Sequence, residues 1–235
     1  MDDSSTVVRY RIMAVAARHF AERKYTDVNI SDIIRDLMID RSVVKHHFAT
    51  KEDLLAALID SFLQNIEDIL IMFVKGVLLP AIESGKLEIK DDRLHFENAQ
   101  CAAIFNNQVI NHLEAVFDYL LVHSHEYILL LQESLIPGEH SDCIERLLCL
   151  FLPIATNPLL VSNKAIPEIG LTPEAQADFI QASVLPILGY ILVKENLNRI
   201  SQHCVETHKK QILNDIRDKH ARHTIGSDIF FNIKQ

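Results

Sequence analysis

Apolar residues recur at helical spacing along most of this chain. Near the start, Ile12, Ala16 and Phe20 lie one turn apart with Val8 and Val15 beside them, which predicts a helix over 7–23 with one buried face. The polar stretch Lys24-Tyr25-Thr26-Asp27 breaks it. Ile30, Ile33, Ile34 and Leu37 form the stripe of a second, short helix. Asn29 stands at its N-cap, where a side-chain oxygen can take a free amide of the first turn. Met38-Ile39-Asp40 reads as a tight turn, with Asp40 capping a third helix over Arg41–His47. Val44 and Phe48 face inward there, leaving Arg41, Ser42, Val43, Lys45 and His46 outside. Thr50 caps a long fourth helix with Asp53 at the reciprocal position, and Leu54, Leu58, Phe62, Ile66 and Phe73 carry it past Val74.

Beyond it the pattern predicts further helices. Residues 76–97 hold Pro80, Gly85 and the polar run Lys90-Asp91-Asp92-Arg93, and read as a loop or short hairpin. Helices are expected over 98–124, 126–135 and 141–155, with a proline-containing connection over 157–170. Thr172-Pro173-Glu174 is a cap, a first-position proline and an early acid, and opens a helix to about Asn196 that bends at Pro186. A last helix spans 197–222, and the pattern over 225–235 is ambiguous. No period of 20–50 residues recurs.

Composition agrees with an all-α fold. The chain has 235 residues, 49% apolar, with only 6 glycines and 7 prolines, enough for a sizeable core. Cys101, Cys143, Cys149 and Cys204 form no C-x-x-C pair and no dense framework, so they read as reduced thiols of a cytoplasmic protein. The polar, acidic start is no signal peptide. The longest apolar run, 179–193, contains Gln181, Ser183 and Pro186. It is shorter than the ~18 residues a membrane span needs, which predicts a buried core helix and no membrane partner.

The net charge of −9 argues at first against an anionic polymer as partner. It is unevenly placed. Residues 1–50 carry eight basic and seven acidic side chains, while the remainder carries fifteen against twenty-five. A polyanion responds to the field within about one Debye length, roughly 8–10 Å, so an acidic body leaves a near-neutral head able to bind it.

Two short helices joined by a tight turn, followed by a connecting helix, form a helix-turn-helix arrangement. Its motifs are the AARHFAER end of the first apolar face, Tyr25 and Thr26, Ile33, His47-Phe48, and Lys51 with Leu54-Leu55. In order and spacing, residues 9–59 resemble the DNA-binding domain of the tetracycline-repressor (TetR) family of bacterial regulators. The resemblance covers roughly a quarter of the chain. It departs from the family pattern at Lys24, usually glycine. It departs again at Leu37-Met38-Ile39-Asp40, usually an Ala-Gly-Val-Ser-like turn, at Ser42, often glycine, and at Lys45, often tyrosine.

A helix of two turns fits the major groove, where base edges are distinguishable. Arg41 can reach a guanine edge, Val43 a thymine methyl, and Ser42 a base or a phosphate. Lys45, His46, Lys51 and the helix-two terminus at Asn29 are candidates to hold phosphates, and His47 is counted with the DNA-binding residues. The resemblance implies a head over 1–50 and a ligand-binding and dimerisation body over 51–235, joined by the helix 50–75. It implies a repressor that binds a near-palindromic operator as a homodimer and is released by a small-molecule effector. Phe62, Ile66, Phe105, Gln108, Val109, His112, Phe117 and Tyr127 are the candidate lining of the effector site. The helix from Pro173 is apolar nearly all round, so it is either a core helix of one chain or half of a dimer interface over 173–222.

The twelve histidines form no paired motif at zinc spacing, and no Glu-x-x-His occurs, so no metal or other cofactor is expected. No P-loop, Gly-x-Gly-x-x-Gly or Gly-x-Ser-x-Gly occurs, so no catalytic residue is assigned and an enzyme is not expected. The alternative reading is a degenerate head used for protein contacts or ligand carriage.

Overall fold

The computed structural model describes residues 3–90, 93–152, 173–201, 203–226 and 231–233. Among the described residues the fold is all-α apart from one small sheet. The chain forms two compact units, one of residues 1–65 and 123–145, the other of residues 66–122 and 146–235.

The first unit holds α1 (Asp3–Glu22), a single 3-10 turn (Tyr25–Asp27), α2 (Ile30–Leu37), α3 (Arg41–His47), the first part of α4 (Lys51–Phe73) and α7 (Ser124–Ser134). The predicted inward positions are buried: Ile12, Ala16, Phe20, Ile33, Val44, Phe48, Leu54 and Leu58. Thr50 and Asp53 form the expected reciprocal cap, with the Thr50 amide donating to the Asp53 carboxylate at 2.9 Å and the Asp53 amide to Thr50 Oγ1 at 3.0 Å. Helix α7 packs along α1, where Gln132 Nε2 donates to the Ala21 carbonyl at 3.1 Å.

Two of the family departures have a structural meaning. Lys24 has φ −64° and ψ 142°, ordinary extended backbone that needs no glycine. Met38 ends α2 at φ 53°, the left-handed region that favours glycine, and its side chain is 93% exposed. Left-handed backbone costs a residue with a Cβ about 1–2 kcal/mol, partly offset by the greater chain entropy that glycine loses on folding. Met38→Gly is therefore expected to stabilise the first unit by about 0.5–1 kcal/mol. A urea-unfolding midpoint that stays put or falls would contradict this.

The second unit begins within α4. The reading of 76–97 as loop or hairpin is corrected in its first half. The helix continues through a π-helical turn (Val74–Leu78) into α5 (Leu79–Glu83). The hairpin follows as β1 (Leu87–Lys90) and β2 (Arg93–Phe96), paired antiparallel, and β3 (Phe231–Ile233) lies parallel to β2. Then come α6 (Ala99–Val122), α8 (Cys143–Leu150), of which residues 143–145 belong to the first unit, α9 (Pro173–Phe179), a second π-helical turn (Ile180–Val184), α10 (Leu185–Ser201) and α11 (Val205–Gly226). Asn98 caps α6, its Oδ1 accepting from the Cys101 amide at 2.9 Å.

Each π-helical turn ends two residues before a proline, Pro80 or Pro186. Proline has no amide for the carbonyl four residues back and its ring clashes there, so the chain shifts to a wider turn. This is the irregularity expected at Pro186, placed one turn earlier. The helix from Leu185 runs on to Ser201 and the last one opens at Val205, so their boundary is later than the expected 196/197. The Thr172 cap, the connection over 157–170 and the end of the 141–155 helix lie outside the described residues, as does most of 225–235.

Helix α6 is the axis of this unit. Lys209 on α11, 5% exposed, binds Asp118 at 2.6 Å and Glu114 at 3.0 Å on α6. A buried polar chain runs from Ser183 Oγ to His220 Nε2 at 2.7 Å and from His220 Nδ1 to Asn106 Oδ1 at 3.2 Å. Helix α10 departs from the buried core helix expected over 179–193. Tyr190, Ile187, Leu188 and Ile191 are buried, but Leu185, Leu192, Val193 and Ile200 are exposed.

Candidate nucleic-acid interface

Helix α3 is held by its apolar side, and the anchors Val44 and Phe48 fix which side chains remain outside. Arg41, Ser42, Lys45 and His46 are exposed, and Val43 and His47 are half-buried. Arg41 and Lys45 thus place positive charge on one short exposed helix, with the Ser42 hydroxyl between them and the His46 ring alongside, which is the chemistry of a groove-reading surface. Burial first, then the neighbouring His46 and Arg9, holds the His47 imidazole below its ordinary value.

The end of α3 is tied to α1. Arg9 Nη1 donates to the His47 carbonyl at 3.3 Å, and its guanidinium lies 4.4 Å from the Phe48 ring centroid. The start of α3 differs from expectation. Asp40 occupies the N-cap with extended backbone, but its side chain makes no cap hydrogen bond, and only its carbonyl accepts, from the Val43 amide at 3.0 Å. A helix of two turns already has its first bond from that carbonyl, and the exposed carboxylate stays in water.

Asn29 is exposed at the start of α2, where its amide donates to the Asp32 carboxylate at 3.4 Å. Asp32 also pairs with Arg23 at 3.4 Å and Arg35 at 2.9 Å. The Asn29 amide first, then the two guanidinium groups, hold the Asp32 carboxyl below its usual range. Across α1 and α2, Asp36 accepts from Arg18 and from His19 Nε2, each at 2.9 Å, and Arg23 contacts His19 Nδ1.

Lys51 is turned inward. Its ammonium donates to the carbonyls of Tyr25 at 2.5 Å and Val28 at 2.9 Å and sits 3.9 Å from the Tyr25 ring centroid. Tyr25 in turn donates to Glu52 at 3.0 Å. Sequence reasoning placed Lys51 among the phosphate candidates, because spacing shows that a lysine opens α4 and not which way its stem lies.

The candidate effector residues separate. Phe105 and Val109 join Val74, Leu78, Leu87, Phe96 and Ala102 in one apolar cluster of the second unit. Phe73 bridges this cluster to His112, with ring centroids 5.7 Å from Phe105 and 5.1 Å from His112. His112 Nδ1 lies 2.8 Å from the Gln108 carbonyl. Phe117 is buried further along α6 against Tyr190, and Ile66 is buried at the start of this unit. Phe62 and Tyr127 lie in the first unit, where burial pushes the Tyr127 phenol up to about 12. Sequence reasoning missed Leu87 and Phe96, although the alternation in LEIK and RLHF is a strand signal. It also missed Asn106, Ser183 and His220, which no motif links. Among the described residues no group of three His, Cys, Asp or Glu side chains is placed to hold a metal ion.

No curated protein matches the chain. Residues 12–58, the stretch from the α1 core through α3 into α4, match the model of the bacterial regulatory proteins of the tetR family, and the match lies on this helix-turn-helix head.

Proposed function

We propose that the chain is a ligand-responsive transcription regulator, a repressor that binds a near-palindromic operator as a homodimer. The observation that carries this reading is α3, whose buried Val44 and Phe48 leave Arg41, Ser42, Lys45 and His46 exposed together. Arg41 and Val43 read base edges, Ser42 reads a base or holds a phosphate, and Lys45, His46 and the Asn29 terminus hold phosphates. His47 and Lys51 stand beside them, and Lys51 retains one ammonium proton beyond its two carbonyl bonds. In this reading residues 1–50 form the DNA-reading head and 51–235 the regulatory body. The test is selection of the purified protein against a random-sequence DNA pool at moderate salt. Enrichment of a two-fold-symmetric site supports the reading. No enrichment, with Arg41→Ala and Lys45→Ala proteins behaving like the parent, would favour protein contacts by the head, for which the exposed Met38 is the natural anchor.

The homodimer rests on α10. Leu185, Leu192, Val193 and Ile200 form an exposed apolar stripe, and a Cβ added at Gly189 would meet nothing within 4 Å. Glycine inside a helix costs about 1 kcal/mol relative to alanine, so open space there fits the close approach of a second helix. The helix over 177–201 is long and apolar enough to cross a membrane by length and composition. Glu195 and Arg199 interrupt its exposed face, which favours a second copy over lipid. Leu192→Glu with Ile200→Glu is expected to convert a dimer into a folded monomer, read by light scattering after size exclusion. A dimer that survives both charges removes α10 from the interface.

The effector is a small molecule held by the cluster around Phe105, Val109 and His112, with Gln108 as a polar anchor and Phe117 and Ile66 beyond. Phe62 and Tyr127 belong to the same proposal through their own unit. Helix α4 contributes residues to both units, so a tilt of α4 on effector binding would change how two copies present α3 to sites about 34 Å apart. A strong switch needs the effector to prefer the non-binding state by about 5.5 kcal/mol.

A further inference from the structure

A seven-residue helix has little of its own to hold it in place. Helix α3 makes few internal hydrogen bonds, its N-cap side chain makes no cap bond, and the turn before it carries left-handed Met38. Its orientation therefore depends on what grips it from outside. Val44 and Phe48 anchor one side in the core and set which side chains face out, but two apolar contacts on so short a helix define its tilt less closely.

The C-terminal end of α3 carries the two directional contacts. Arg9, on α1 and half-buried, donates to the His47 carbonyl at 3.3 Å and lies over the Phe48 ring at 4.4 Å from its centroid. A guanidinium at the last carbonyls of a helix is favoured by the helix dipole. Its plane stacks on an aromatic face while its fork fixes the direction of the hydrogen bond. The two contacts together define a position and an angle, which one apolar contact does not.

We propose that Arg9 is a positioning residue of the DNA interface, setting the angle at which α3 presents Arg41 and Lys45. The proposal rests on the regulator reading above. Its content is that the Arg9 charge acts within the protein and not on a phosphate. Misalignment of α3 weakens base readout, which needs bidentate geometry, far more than phosphate attraction, which is tolerant of angle.

The salt dependence of binding separates these roles, because each phosphate contact adds about one to the slope of log affinity against log salt. The full chain, Arg9→Met, Arg9→Lys and Lys45→Ala are titrated with the selected operator and with a scrambled duplex between about 50 and 200 mM salt. Arg9→Met is expected to lose about tenfold on the operator, corresponding to about 1.4 kcal/mol. It should lose little on the scrambled duplex and keep the parental slope. Arg9→Lys keeps a cation over Phe48 but not the planar fork, and is expected to recover part of the loss. Lys45→Ala is expected to weaken both duplexes and lower the slope by about one.

A slope reduced by one in Arg9→Met would make Arg9 a phosphate contact and overturn the proposal. Equal losses on both duplexes, or none on the operator, would do the same. If Arg9→Met melts below the assay temperature, Arg9→Lys carries the comparison, and a parental ratio of operator to scrambled affinity there would overturn it. A parent that never prefers a selected site overturns the regulator reading itself, and is told apart because the failure appears before any substitution.

Discussion

Phe20→Ala is expected to abolish operator binding and to destabilise the first unit by about 3–5 kcal/mol, the range for removing a fully buried aromatic ring. Phe20 is 0% exposed, and its ring meets Tyr25 edge to face at 5.2 Å between centroids. It therefore ties α1 to the 3-10 turn whose Tyr25 carbonyl Lys51 binds. A whole domain commonly has only 5–15 kcal/mol of stability, so losing this ring leaves the small head largely unfolded. Phe20→Leu keeps most of the volume and is expected to cost less than half as much. Urea unfolding and operator titration on both proteins provide the check. An alanine variant with parental midpoint and affinity would mean that the ring is not the keystone of the head.

The second large effect concerns the buried polar chain of the second unit. His220→Ala removes the shared partner of Ser183, which is 0% exposed, and Asn106, which is 8% exposed. Each buried polar group left without a partner costs about 1–3 kcal/mol, and the lost ring adds a cavity, so a total of about 3–5 kcal/mol is expected. Ser183→Ala alone should cost about 1 kcal/mol. The pair should cost less than the two added together, because once the imidazole is gone the hydroxyl is a liability. Strictly additive losses in urea midpoints would show that the two side chains do not act as a unit.

Much of the head was legible in the sequence because its information is local. The spacing of Ile12, Ala16 and Phe20, the Thr50–Asp53 cap and the inward pair Val44 and Phe48 each follow from a few neighbouring residues, and the buried faces match. Contacts between distant residues were not legible. Nothing in the spacing of α7 shows that Gln132 will reach the Ala21 carbonyl. Nothing near Arg9 marks His47 and Phe48 as its partners. Lys51 shows the limit most clearly, since its composition and place suit a phosphate and the fold turns it onto two carbonyls. In the body, the prolines at 80 and 186 signalled irregular helix, but whether the chain breaks or widens into a π-helical turn depends on packing that no local rule encodes.

The first unit is discontinuous, made of residues 1–65 and 123–145. During synthesis the three helices that read as a finished module emerge first, while the segment that lies along α1 has not yet been made. The newborn head must wait with one flank of α1 open to water, so its lifetime in that state, and its exposure to chaperones and proteases, is set by how fast residues 66–122 are added. A fragment ending at 65 would be held permanently at that stage. Its behaviour would report on the nascent chain and not on the head of the finished protein.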